Sequence, residues 1–158
     1  MNDLLDIILK DTYSQVQLKH RLNILKAYLL NNFFGTLKKQ EITEKDLAWL
    51  KSLPAAYYQN FNKDNTQNIF TELDQRINQL KLMTIYLTFE PDDYSLSQIG
   101  TYARKLFGNF LLLDIKYDPN LIAGAALVWN GVYRDFSLRA KIEEKKALIL
   151  ESFKKYLR

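Results

Sequence analysis

The chain has no cysteine, a single histidine, three prolines and five glycines among its 158 residues. The missing cysteines exclude disulfides, thiolate metal sites and cysteine nucleophiles, and they fit a reducing compartment. The one histidine, His20, excludes a two-histidine metal site, and no Ser-His pair gains support. It lies between Lys19 and Arg21 on a predicted helix and reads as a surface or boundary residue. The glycines stand singly, so neither G-x-x-x-x-G-K-[ST] nor G-x-G-x-x-G is present. No apolar run approaches the roughly 20 residues of a bilayer span. Any membrane association is therefore expected to run through a partner. Met1-Asn2-Asp3-Leu4-Leu5-Asp6 carries acid where a signal or transit peptide carries base.

Charge of one sign is also scarce. The chain holds 22 basic and 18 acidic residues, a net +4. Residues 138–158 contain seven bases and three acids, so that one segment accounts for the whole excess and the rest sums to zero. A single basic helix is a weaker nucleic-acid signal than a basic domain. Bases late in a helix also complement its dipole. Asp92-Asp93 and Glu143-Glu144 are the only adjacent acid pairs. The first reads as turn and helix-start chemistry, the second as the solvated face of a charged helix.

What is present is a hydrophobic fraction of 47%, enough for a buried core. Leu18, Leu22, Leu25, Leu29 and Phe33 recur at spacings of four and three, the stripe of an amphipathic helix that Gly35 closes. Thr43-Glu44-Lys45-Asp46 has the form of a capping box ahead of Leu47 and Leu50. Pro54 ends that helix or starts the next. Asn65-Thr66 is placed to cap a helix that buries Ile69, Phe70, Leu73, Ile77 and Leu80. At residue 82 the period changes to two: Met83, Ile85, Leu87 and Phe89 alternate with Leu82, Thr84, Tyr86 and Thr88. Pro91-Asp92-Asp93 is a turn, and Ser95-Leu96-Ser97-Gln98 is expected to open a helix with Leu96, Ile99, Ala103, Leu106 and Phe107 inward. Gly108-Asn109 stops it, and a strand follows from Phe110 to Tyr117.

The richest stretch comes next. Asp118-Pro119 opens a turn, and Gly124 supplies backbone freedom. Asn130-Gly131 sits between two apolar runs as a two-residue hairpin. Asp135 and Ser137 are cap-type residues before the last helix, residues 138–157. The fold expected is α+β: an all-helical bundle domain over 1–81, then a small mixed α/β domain over 82–158 in the order β-α-β-β-β-α. They meet at Gln79-Leu80-Lys81 without a Gly/Ser linker, so the joint is expected to be short and stiff.

Asp118-Pro119-Asn120-Leu121-Ile122-Ala123-Gly124, the hairpin, and Asp135-Phe136-Ser137-Leu138-Arg139 resemble the C-terminal motif of the delta subunit of F-type ATP synthase. The mitochondrial relative is the oligomycin-sensitivity-conferring protein. The resemblance extends back over residues 82–117 and covers about half of the chain. Asn120 stands where the family shows Ser or Thr, Ala123 where it shows Gly, and the N-terminal half is shorter than the family norm. The resemblance implies a non-catalytic subunit without a cofactor, a catalytic residue or a metal site. Such a subunit ties the catalytic hexamer to the peripheral stalk and so couples rotation to ATP synthesis and proton transport. Its partners would be the N-terminal helix of an alpha subunit and the b-type stalk subunits. Its place would be the cytoplasmic face of the inner (plasma) membrane, reached only through the complex. Groove residues for the alpha helix would be Leu4, Ile7, Ile8 and Tyr28, each equally readable as core. Lys145, Lys146 and Lys154 would meet the stalk. Asp118, Pro119, Gly124, Asn130, Gly131, Asp135 and Ser137 would serve architecture.

Two other readings compete. A nucleic-acid-binding module is motivated by the basic balance and by 13% aromatics, with Tyr57, Tyr58 and Phe61 as stacking candidates, although core is the favoured place for them. A carboxylate enzyme would need Asp118 or Asp135 in a concave site with other polar groups.

Overall fold

The change of period at residue 82 is also where the architecture changes. The structure, a computed structural model, describes residues 2–35 and 42–156. Five helices come first: α1 (Asn2–Leu9), α2 (Gln15–Phe34), α3 (Glu44–Ser52), α4 (Ala55–Tyr58) and α5 (Thr66–Ile77). Strand β1 (Leu82–Leu87), helix α6 (Asp93–Phe107) and strand β2 (Leu112–Tyr117) form a βαβ unit. A 3-10 turn (Pro119–Leu121), β3 (Ala125–Trp129), β4 (Val132–Asp135) and α7 (Leu138–Tyr156) complete the order. The α+β class and the β-α-β-β-β-α order agree with the sequence pattern.

The sheet runs β2-β1-β3-β4, with β1 and β2 parallel and the other neighbours antiparallel. Its inner face carries Met83, Ile85, Leu87 and Leu113, which pack on Leu96 and Ala103 of α6. Successive strand residues face opposite ways, so Leu112 next to Leu113 points into the helical core instead. That core gathers Leu4, Leu5, Ile8 and Leu9 of α1, Leu18, Leu22, Leu25 and Leu29 of α2, and Tyr57, Phe61, Phe70 and Leu73.

Local chemistry explains the helix ends. Ser14 accepts the Gln17 N–H at 3.1 Å to start α2, and Gly35 closes it at φ 62. Thr43 and Asp46 form the reciprocal capping box of α3. One helix start and one cap differ from the sequence reading. α6 begins one turn earlier than Ser95, because Asp92 is the nearer cap and accepts the Ser95 N–H at 2.8 Å. α5 starts at Thr66 without a side-chain cap, because the Asn65 carboxamide oxygen turns back to the Asn62 N–H at 2.8 Å.

Some apolar positions lie outside the core. β1 ends at Leu87, which leaves Phe89 exposed beyond the sheet. Leu106 is exposed in the last turn of α6, whereas its neighbour Phe107 packs against the sheet core.

Candidate partner-binding surfaces

The approach to α7 is built from short-range bonds. Asp118 accepts the Asn120 N–H at 3.0 Å. Gly124 sits at φ +84, and a Cβ there would lie 2.8 Å from the Phe136 carbonyl oxygen. Only glycine lets the turn pass so close to the backbone that enters α7. The Leu138 N–H then bonds the Ala123 carbonyl across this contact at 2.8 Å. Asn130 and Gly131 both take positive φ, 50 and 77, as a two-residue hairpin with the twist of its strands requires. Ser137 is fully buried and caps α7 by accepting the Ala140 N–H at 3.2 Å. Asp135 accepts the Ser137 N–H at 2.8 Å, and bonds from Ser137 hold its carboxyl below the usual range. The Tyr133 hydroxyl adds a bond to it at 3.3 Å. Asp118 and Asp135 are thus engaged in turn and cap bonds, which removes the carboxylate-enzyme reading.

α7 itself is the feature these bonds aim. It runs 19 residues, about 28 Å at 1.5 Å per residue, and buries none of them. Leu148, Leu150, Phe153 and Tyr156 are each more than half exposed. At about 100° per residue, Leu138, Ile142, Ile149, Phe153 and Tyr156 fall within an arc of about 60°. Lys145 and Lys146 lie on either side of that stripe, whereas Glu143, Glu144 and Glu151 lie on the back. Arg139–Glu143 at 3.2 Å and Lys155–Glu151 at 3.4 Å are pairs one turn apart. Lys154 falls on the back too, away from Lys145 and Lys146.

The N-terminal candidates divide. Leu4 and Ile8 are buried in the chain's own core, at 5% and 0% exposure, so they form no open groove wall. α1 has to bury that face to hold on to α2 and α5. Tyr28 is half-buried and meets Tyr58 edge-on at 5.7 Å between ring centres. Ile7 is half-buried and lines an open depression of about 470 Å³ with Asp6, Lys10, Asn109 and Phe110. A second depression, with Leu5, Arg76, Gln79 and Leu80, shares Asp6 and Phe110 with it. Phe110 was absent from the sequence reading of this groove. Its position just after Gly108-Asn109 marks a strand start, and nothing local ties it to α1.

Tyr57 and Phe61 are buried among Tyr28, Tyr58 and Phe70, which takes them out of reach of a stacked base. Burial pushes the Tyr57 hydroxyl up and the Tyr58 hydroxyl up to about 12. His20 Nε2 lies 2.9 Å from Asp46 Oδ1 and joins α2 to α3. Burial alone would raise the Asp46 carboxyl, but bonds from Thr43 and His20 hold it below the usual range. Among the described residues no group of three or more His, Asp or Glu is placed to hold a metal. Nor is any described helix long and apolar enough to cross a membrane.

No family model matches the chain. Among curated proteins, ATP synthase subunit delta of Verminephrobacter eiseniae (strain EF01-2) is 34% identical over 80 residues, 51% of this chain and 44% of the relative. ATP synthase subunit delta of Acidovorax sp. (strain JS42) is 32% identical over 65 residues, 41% of this chain and 36% of the relative. That of Delftia acidovorans (strain DSM 14801 / SPH-1) is 34% identical over 62 residues, 39% of this chain and 35% of the relative. The chain thus spans less than half the length of the curated relatives it matches. Four relatives that share this name, each matching between 39% and 51% of the chain, support its assignment to the delta-subunit family of ATP synthases.

Proposed function

We propose that this chain is a non-catalytic subunit of a rotary F-type ATP synthase that ties the catalytic hexamer to the peripheral stalk. In that role it couples rotor torque to ATP synthesis or hydrolysis and to proton transport. One observation carries the reading beyond the relatives' name: α7 presents an apolar stripe, flanked by Lys145 and Lys146, in which no residue is buried, although the helix approaches the 3-10 turn Pro119–Leu121. Most of the stability of an amphipathic helix comes from packing its apolar stripe on another surface. A b-type stalk helix with an apolar seam and acidic flanks fits it. Apolar contacts would supply most of the affinity, and the rim lysines would set on-rate and specificity. At the other end, the depression beside Ile7 and Phe110 is the place for the amphipathic N-terminal helix of an alpha subunit. The chain would then sit at the cytoplasmic face of the inner membrane, held there only through the complex.

The test is co-purification with mass spectrometry, followed by charge reversal. Alpha, beta and b subunits are expected in the eluate, and their absence under gentle salt rejects the reading. Lys145→Glu with Lys146→Glu is expected to weaken capture of the b subunits at low salt. Lys154→Glu, on the back of the helix, should do so less. Equal capture of b subunits by wild type and the double reversal across salt concentrations rejects the docking face.

A further inference from the structure

The loop between α1 and α2 does more than connect them. Its Tyr13 carbonyl accepts the Leu113 N–H at 2.8 Å, and Ser14 pairs with Leu113 in a parallel bridge. The loop therefore lies along the edge of β2 that β1 leaves open. Arg104 of α6 reaches across to clasp it. One guanidinium nitrogen donates to the Leu9 carbonyl at 2.7 Å, a second to the Thr12 carbonyl, and Nε donates to the Leu111 carbonyl at 3.1 Å. The guanidinium carbon also stands 4.7 Å from the centre of the Tyr13 ring.

Each of these bonds meets a need that the sequence leaves open locally. Leu9 is the last residue of α1, and a helix end carries unpaired carbonyls and a partial negative charge. α1 has no base of its own in its last turn. Arg104, some 95 residues later in the chain, fills that place. Guanidinium is suited to it, because its planar fork of donors serves several carbonyls at once. The fit around Tyr13 is equally close: a Cβ on Gly100 would fall 2.4 Å from the Tyr13 ring, so α6 is glycine where the ring lies against it.

We propose that the α1–α2 loop, clasped by Arg104, is a strap that joins the helical half and the α+β half into one rigid body, with no hinge at residues 79–81. The two halves then unfold as one cooperative unit. The strap stands apart from the stalk reading. Only its consequence rests on that reading: torque entering at one end of the chain would reach the other without bending at a joint.

The two tryptophans make the test direct, since Trp49 is in α3 and Trp129 in β3. Single-tryptophan parents, Trp49→Phe and Trp129→Phe, report each half separately in urea unfolding followed by fluorescence. The two transitions are expected to coincide. Arg104→Met keeps the aliphatic stem and removes every donor. Introduced into both parents, it is expected to part the midpoints by roughly 1 M urea. Gly100→Ala, which displaces Tyr13 without touching the helical core, is expected to part them as well, and it serves should Arg104→Met fail to fold. Separate transitions in the parents overturn the proposal, and so do transitions that remain coincident in the variants. The assay contains no partner, so its outcome is independent of whether the chain binds a stalk.

Discussion

Helices α2 and α7 are 20 and 19 residues long, and both carry an apolar stripe. α2 buries Leu18, Leu22, Ile24, Leu25 and Leu29 under α1, α3 and the Leu112 face of β2, whereas α7 buries nothing. An amphipathic pattern states that a face needs cover, and it does not state whether the cover comes from the same chain. The Ser137 cap and the Gly124 contact decide it for α7 by aiming the helix off the end of the sheet. Leu138, Ile142 and Phe153 are left open as a result.

Four measurements would break or sharpen this contrast. Leu25→Ala opens a cavity in the helical core, where Leu25 is fully buried, and is expected to lower stability by about 2–5 kcal/mol in urea unfolding. A loss below about 1 kcal/mol would mean that α2 is no better anchored than α7. Gly124→Ala places a methyl against the Phe136 carbonyl at a positive φ and is expected to cost about 1–3 kcal/mol by thermal unfolding. A neutral result would show that α7 is not aimed by that contact.

The Asp46 bridge anchors α3 on α2, and its carboxyl is held below the ordinary Asp value of about 3.9. A depressed folded-state value means the contribution is complete above about pH 4 and is lost as pH falls through the folded value. Asp46→Asn is therefore expected to flatten the acid limb of the stability–pH curve without reshaping the limb above pH 7. A steep acid limb that survives the substitution would assign it to other carboxylates. The smallest effect belongs to α7: Ile149→Ser or Phe153→Ser is expected to change the stability of the isolated chain by less than about 0.5 kcal/mol. A loss comparable to that of Leu25→Ala would mean that α7 packs on its own chain in solution.

Much of the fold was legible because its signals are short-range. Asn130-Gly131 takes the two positive φ values of a tight hairpin, and Thr43 with Asp46 makes a capping box, since in both cases the interacting groups lie within four residues. The same locality misled at α6. Ser95 looks like a cap, but Asp92 reaches the first free N–H groups sooner, and a helix starts at the first cap that serves it. Leu4 and Ile8 were readable as groove or core, because one apolar stripe serves either, and they turned out to be core. Phe110 in the α1 depression had no signal at all, since only the approach of β2 to α1 brings it there.

The sequence by itself determined the alternation of helix and strand, the turn and hairpin, and the basic, apolar-striped character of the last helix. These depend on period, on backbone freedom at Gly124 and Gly131, and on caps, all of which act over a few residues. Tertiary structure alone decided which apolar faces found cover. It placed Arg104 at the end of α1, set Leu112 and Leu113 on opposite sides of β2, and left α7 bare. Such outcomes depend on residues some 95 positions apart competing for the same space and the same carbonyls, and no local pattern encodes that competition.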